Sequence, residues 1–176
     1  MQKLYTQLKD QFRLGKLTEQ RPDLAFITIE REQVRPLLLH LRDKEGFTHL
    51  VLLTAVDWIE EDKFQLTYLL SDRTNARDIG LRLMIPRDNA SMDSIHDIWP
   101  TAATYQRELR EMFGIHFPDS PRVNEEFILE GWNDIPPYRR DFDTLKYAQE
   151  TYKDQPGRET RDPAQHMKEK LYPDGN

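Results

Sequence analysis

Glu108 and Glu111 are the pair of side chains in this chain whose type and spacing best suit acid/base chemistry, because residues three apart share one face of a helix. Arg107 and Arg110 stand beside them, however, and charges in that arrangement usually form solvated or interfacial ion pairs worth about 0.2–0.5 kcal/mol each. The five histidines, His40, His49, His96, His116 and His166, lie far apart, and none has a second histidine three or four positions away, so spacing marks no metal site. Ser71, Ser91, Ser94 and Ser120 fall in no nucleophile elbow, and the seven glycines form neither a phosphate-cradling loop nor a dinucleotide fingerprint. Asn89, Ala90 and Ser91 match a glycosylation sequon, which is without meaning in the absence of secretion. Arg139, Arg140 and Asp141 are more informative. Guanidinium groups grip carboxylates with two prongs, and Pro136 and Pro137 stiffen the backbone that presents them, which suits an interface. Trp132, after Gly131, fits either an interface anchor or a core residue of its own chain.

Composition narrows the function classes. A chain of 176 residues with 38% hydrophobic content makes one domain with extensions, long enough to bury a core without metal or disulfide. Cysteine is absent, which excludes a disulfide framework, a thiol nucleophile and any cysteine-ligated zinc or iron–sulfur centre. Charges interrupt every apolar stretch of MQKLYTQLKDQFRLGK, so it reads as neither a signal peptide nor a spanning helix, and a cytoplasmic location is expected. A net charge of −6 with interspersed Lys and Arg argues against nucleic acid as partner and for protein.

The elements that must position these residues follow from periodicity. Leu4, Leu8 and Phe12 predict a helix between Met1 and Leu17 that ends near Gly15. Leu24 to Ile29 reads as a strand, and Val34, Leu37, Leu38 and Leu41 as a helix with Pro36 in its first turn and Gly46 closing it. The apolar run from Thr48 to Val56 has the length of a fully buried strand. Phe64 to Leu70 and Ile79 to Ile85 alternate as two more strands, joined through Ser71 to Asp78. A helical or turn segment from Ser91 to Trp99 leads through Pro100 into a helix from Tyr105 to Gly114, where Tyr105, Leu109, Met112 and Phe113 form the apolar face. The fold class is therefore α+β: a small mixed or antiparallel sheet covered by helices, followed by an extended C-terminal docking arm. Its parts are an N-terminal helical segment at 1–16, the α+β domain at 17–114, the arm at 115–145, and a polar tail at 146–176 that orders only on a partner.

Several ordered blocks carry a family resemblance. QRELREMFGI at Gln106 to Ile115 resembles the signature of the thirty-kilodalton subunit of proton-pumping NADH:quinone oxidoreductase, respiratory complex I. TAVDW at Thr54 to Trp58 and FQLTYLLS at Phe64 to Ser71 look like that family's second and third strands. SIHDIWPTA at Ser94 to Ala102 is similar to the approach to its signature helix, and GWNDIPPYRRDF at Gly131 to Phe142 to its ending. Gln106 stands where the family has Glu, Tyr138 where Leu is usual, and Arg140 where Lys is usual.

The resemblance implies a cofactor-free structural subunit, with no catalytic, cofactor-binding or metal-binding residues of its own. FMN and iron–sulfur clusters would be carried by partner subunits. It would lie on the cytoplasmic face of the cell membrane, peripheral and held there only through the complex, beside the large quinone-site subunit and other hydrophilic-arm subunits. In that role Phe113, Phe117, Trp132, Tyr138 and Phe142 would fill apolar pockets of a partner. Arg107, Glu108, Glu111, Arg139, Arg140 and Asp141 would pair across the interface or fix the arm against its own domain. Two alternatives stay open: the equivalent subunit of a membrane-bound hydrogenase or a ferredoxin- or formate-linked complex, and a free-standing enzyme using Glu108 and Glu111 as acid and base.

Overall fold

The computed structural model describes residues 1–152 and 170–171. The chain divides into two units between Phe142 and Asp143. The first unit runs through helix α1 (Gln2–Lys9), strands β1 (Leu14–Arg21) and β2 (Leu24–Ile29), helix α2 (Val34–Asp43), strands β3 (His49–Trp58), β4 (Lys63–Asp72) and β5 (Arg77–Pro86), and helix α3 (Ala102–Phe113). The five strands form one sheet in the order β1-β2-β5-β4-β3. β2 pairs parallel with β5 and every other pairing is antiparallel, so the expected α+β class with a mixed sheet is what the chain adopts. The expected antiparallel order of the last three strands is also present, as the meander β3-β4-β5.

Alternation in the strands explains where the core lies. Along β4, Phe64, Leu66, Tyr68 and Leu70 point to one side and are fully buried, and their neighbours Leu81, Leu83 and Ile85 on β5 extend the same surface. Leu4 and Leu8 of α1, four leucine and valine side chains of α2 (Val34, Leu37, Leu38 and Leu41), and Leu109, Met112 and Phe113 of α3 join them in a single hydrophobic cluster. Burying each such side chain contributes about 1.5–3 kcal/mol. Pro36 sits in the first turn of α2, and Gly114, at φ +78°, ends α3 in the left-handed conformation that only glycine adopts at no steric cost.

Two expectations need correction. The N-terminal helix stops at Lys9, and Leu14–Arg21 is a strand. Written LGKLTEQR, it is a polar edge strand with two register shifts and only Leu14 and Leu17 half-buried, so it lacks the alternation that would have marked it. The strand from His49 is not fully buried. It lies at the sheet edge, pairs with β4 alone, and leaves Val51, Leu52, Val56 and Trp58 exposed. In the second unit, Thr144–Thr151 forms helix α4, whose N-cap Asp143 accepts a hydrogen bond from the Lys146 N–H. The rest of the expected tail, 153–169 and 172–176, lies outside the described residues.

The β4–β5 turn is organised by one carboxylate. The Asp72 side chain is 1% exposed; its Oδ1 accepts the N–H groups of Thr74 and Asn75, each at 3.1 Å, and its Oδ2 accepts Asn75 Nδ2 at 2.7 Å and Arg77 Nε at 2.8 Å. Burial pushes its pKa up, but the hydrogen bonds from Asn75 and Arg77 outweigh that and hold it at about 2. The folded value lies below the unfolded one of about 3.9, so this carboxylate's stabilisation is present above that pH and lost as pH falls toward 2. Asp72→Asn is expected to be less stable than the parent by about 2 kcal/mol near neutrality, with the gap closing in acid. Urea unfolding at a neutral pH and in acid measures this; a gap that stays constant would contradict it.

Candidate partner-docking surface

The signature helix α3 holds the segment that follows it. Glu111 extends both carboxylate oxygens to backbone: Oε1 accepts the Phe127 N–H at 2.7 Å and Oε2 the Ile128 N–H at 2.8 Å. Arg107 donates from Nη2 to the carbonyls of Glu126 at 2.8 Å and Glu125 at 3.5 Å, and its guanidinium lies 5.3 Å from the Phe127 ring centre. These two side chains pin 125–128 to α3. Glu108 is half-buried on the same helix and does not join them in this contact. Glu111 therefore acts as a loop anchor: it lines a surface cleft with Arg110, Trp132 and Pro136, but both its oxygens are committed to backbone amides. Within the chain, Arg107 and Glu111 thus fix the arm through its backbone groups.

The end of the segment is fixed by a buried ionic cluster. Asp57, near the C-terminal end of β3, has a side chain 1% exposed, and Arg87, just after β5, one 10% exposed. Arg87 Nε lies 2.8 Å from Asp57 Oδ1 in a geometry too bent for a hydrogen bond, while Nη2 donates to Oδ2 at 3.1 Å. The same Nη2 reaches Asp141 at 2.9 Å, and Arg139 donates to both Asp141 oxygens at 3.2 Å. The Arg140 N–H, 83 residues away in sequence, donates to Asp57 Oδ2 at 2.9 Å. Burial raises the Asp141 pKa, but Arg139 and Arg87 more than compensate and hold it below the usual carboxylate range. Tyr138 N–H adds a 3.0 Å hydrogen bond to the Met112 carbonyl.

Side chains expected at a partner interface thus divide. Phe113 and Phe117 do not face outward: they are 8% and 1% exposed in the chain's own core, and Phe113 stacks edge-on between Phe64 and Tyr138. Both pack within the chain's own hydrophobic cluster. Trp132 and Phe142 are half-buried against one another, with ring centres 5.4 Å apart, and the Trp132 indole donates to the Asp134 and Ile135 carbonyls. Tyr138 is 57% exposed, and Ile128 at 65% and Ile135 at 40% accompany it. Arg140 is half exposed and grips Glu60 with Nη1 at 2.6 and 2.7 Å.

Sequence reasoning missed Asp57 and Arg87. Asp57 carried a signal, a lone carboxylate at a buried-parity position of an apolar strand; Arg87 carried none. Gln106, noted only as a departure from a family pattern, is fully buried, and its Oε1 accepts the hydroxyls of Ser94 at 2.8 Å and Ser120 at 2.7 Å. It ties α3 to the segments on both sides. Among the described residues no group of three or more His, Cys, Asp or Glu side chains is arranged to hold a metal ion, and no helix is long and apolar enough to cross a membrane.

A family model described as the 30 Kd subunit of respiratory-chain NADH dehydrogenase matches residues 27–148. The chain belongs to that family. The matched span includes Asp57, Arg87 and the whole arm to Asp141. Among relatives in this family, the corresponding NADH-quinone oxidoreductase subunit of Hyphomonas neptunium is 32% identical over 82% of this chain and 68% of its own. That of Citrifermentans bemidjiense is 30% identical over 83% and 91%. Among solved structures, a chain of the membrane-bound sulfane sulfur reductase, an archaeal respiratory membrane complex, superposes with a TM-score of 0.81 at 25% identity, over 92% of this chain and 96% of that one. A trypsin-resistant fragment of Nqo5 shares the fold, with a TM-score of 0.57 at 18% identity over 68% and 96%.

Arg87→Met leaves Asp57 and Asp141 as neighbouring carboxylates without their shared cation. It is expected to cost about 3–5 kcal/mol of stability, and adding Asp57→Asn is expected to recover part of that. Urea unfolding measures the energies; limited trypsin digestion should cut after Arg122, Arg139 or Arg140 faster in the single variant than in the parent.

Proposed function

We propose that this chain is a cofactor-free structural subunit in the hydrophilic arm of a membrane-bound, proton-translocating NADH:quinone oxidoreductase. It positions the large quinone-site subunit, while partner subunits carry FMN, iron–sulfur clusters and the electrons from NADH to quinone. The chain itself has no active site in this reading, and it meets the cytoplasmic face of the membrane only through the complex. The observation that carries the reading is the outer surface of the segment after α3. There Ile128, Ile135 and Tyr138 stand exposed on a backbone anchored by Glu111, Arg107 and the Asp57–Arg87–Asp141 cluster. Large apolar side chains on a rigid, arginine-bearing support suit a partner's pockets at low entropic cost.

A second reading has a specific observation in its favour. The TM-score of 0.81 to a chain of an archaeal sulfane sulfur reductase supports a role as the equivalent subunit in a related membrane-bound respiratory complex with another electron donor. Affinity isolation of the tagged chain from native membranes, followed by mass spectrometry, separates the two. An NADH- and flavin-binding subunit among the companions favours the first, and a large subunit with nickel-ligating cysteines favours a hydrogenase-like complex.

Arg140→Glu tests the interface. The Arg140–Glu60 pair is open to solvent, where screening leaves such pairs little weight in stability, so the variant is expected to stay folded by circular dichroism. Its recovery of the large subunit from membranes is expected to fall about tenfold. Normal co-isolation would remove Arg140 from the interface.

A further inference from the structure

The helices of the first unit bury one face of the sheet, and the opposite face carries an arginine that no carboxylate pairs with among the described residues. Across that face the pairing register aligns Thr54, Thr67, Arg82 and Thr28 in one row. Leu52 and Val56 flank it on β3, and Met84 on β5. Leu52 is 38%, Val56 46% and Trp58 41% exposed. Gly80 makes room for the Phe26 ring, whose Cδ1 lies 2.2 Å from where a Cβ at Gly80 would be, and the Arg82 guanidinium stacks 3.7 Å from that ring's centre. Arg82 is thereby held flat on the central strand, between the threonines of its row, with the exposed apolar residues of β3 two strands away. Its Nε is buried with no hydrogen-bond partner, and no carboxylate pairs with it among the described residues.

We infer that this sheet face docks a segment of another subunit that sets an Asp or Glu carboxylate on Arg82 between apolar side chains covering Leu52, Val56 and Trp58. The inference rests on the chain's proposed place in a heteromeric complex. Charge decides the occupant: a planar guanidinium that stacks on an aromatic ring and has no carboxylate among the described residues is matched best by a two-pronged carboxylate. A second copy docked face to face about a two-fold axis would instead set one unpaired Arg82 near its twin.

The test places a photo-crosslinking benzoylphenylalanine at Val56 in the assembled complex in native membranes. The expected product is a peptide of a different subunit with Asp or Glu among apolar residues. Arg82→Glu is expected to lower co-isolation of that subunit at least about tenfold, and a reciprocal change of the partner's carboxylate to Arg to restore it. Arg82→Met, which keeps the stem over Phe26 and removes the charge, gives the same loss should Arg82→Glu fail to fold. Cross-linking to a second copy, absence of any cross-link, or undiminished co-isolation with Arg82→Met overturns the inference. If the unsubstituted chain brings down no oxidoreductase subunits at all, the proposed function fails instead, so the two failures are distinguishable.

Discussion

Withdrawing a carboxylate from water costs several kcal/mol unless opposite charge and hydrogen bonds replace the lost hydration, and Asp57 is withdrawn almost completely. Three places in the chain converge there: Asp57 itself at the end of β3 and the two groups that serve it, Arg87 beyond β5 and the Arg140 N–H at the far end of the segment after α3. The β3-β4-β5 meander brings the first two together. The third has no such tether, so satisfying Asp57 fixes the far end of residues 115–142 at the sheet edge, while Glu111, Arg107 and the Tyr138 N–H hold earlier points to α3. Asp141 makes the return cooperative, because Arg87 would otherwise be shared by one carboxylate only.

The same return sorts the aromatic and aliphatic side chains that the sequence scatters without period. Those close to α3 turn inward: Ile115 and Phe117 join the core, and Phe113 bridges Phe64 to Tyr138. Farther along, Val123 and Leu129 still pack against that core, half-buried. Trp132 and Phe142 cover each other, while Ile128, Ile135 and Tyr138 face outward. An apolar exterior on a segment held at both ends differs from a floppy arm. Its shape is set before any encounter, so association need not pay again for ordering it.

How much of this was legible follows from the range of each signal. Helices α2 and α3, β2 and the β4-β5 pair were readable because their apolar spacing is a local property, and Gly114 was readable because a helix stop has its own chemistry. β1 was not, since a polar edge strand satisfies its hydrogen bonds on β2 without any hydrophobic pattern. The His49–Trp58 strand misled in the other direction: unbroken apolar residues can mean two covered faces or one open one, and only the sheet order decides. Asp57 lay unremarked inside one family-like block, and Arg139 to Asp141 stood out in another. Their meeting was not legible, because a contact across 83 residues leaves no trace in spacing.

Placement of charge bears finally on the kind of work this chain does. An acid/base pair needs lone pairs held free toward a reacting group, with pKa values pushed apart. Glu111, the better placed of the two candidates, commits both oxygens to the amides of Phe127 and Ile128, and Asp57, Asp72 and Asp141 likewise face backbone amides or guanidinium groups. Each of these carboxylates stabilises a turn, a loop or a strand end. Arg82 is the contrasting case, a central-strand cation to which the described residues offer an aromatic ring and no carboxylate. A fold that commits these acids to its own chain, and gives that guanidinium no carboxylate among the described residues, suits the proposed role of holding neighbours in place.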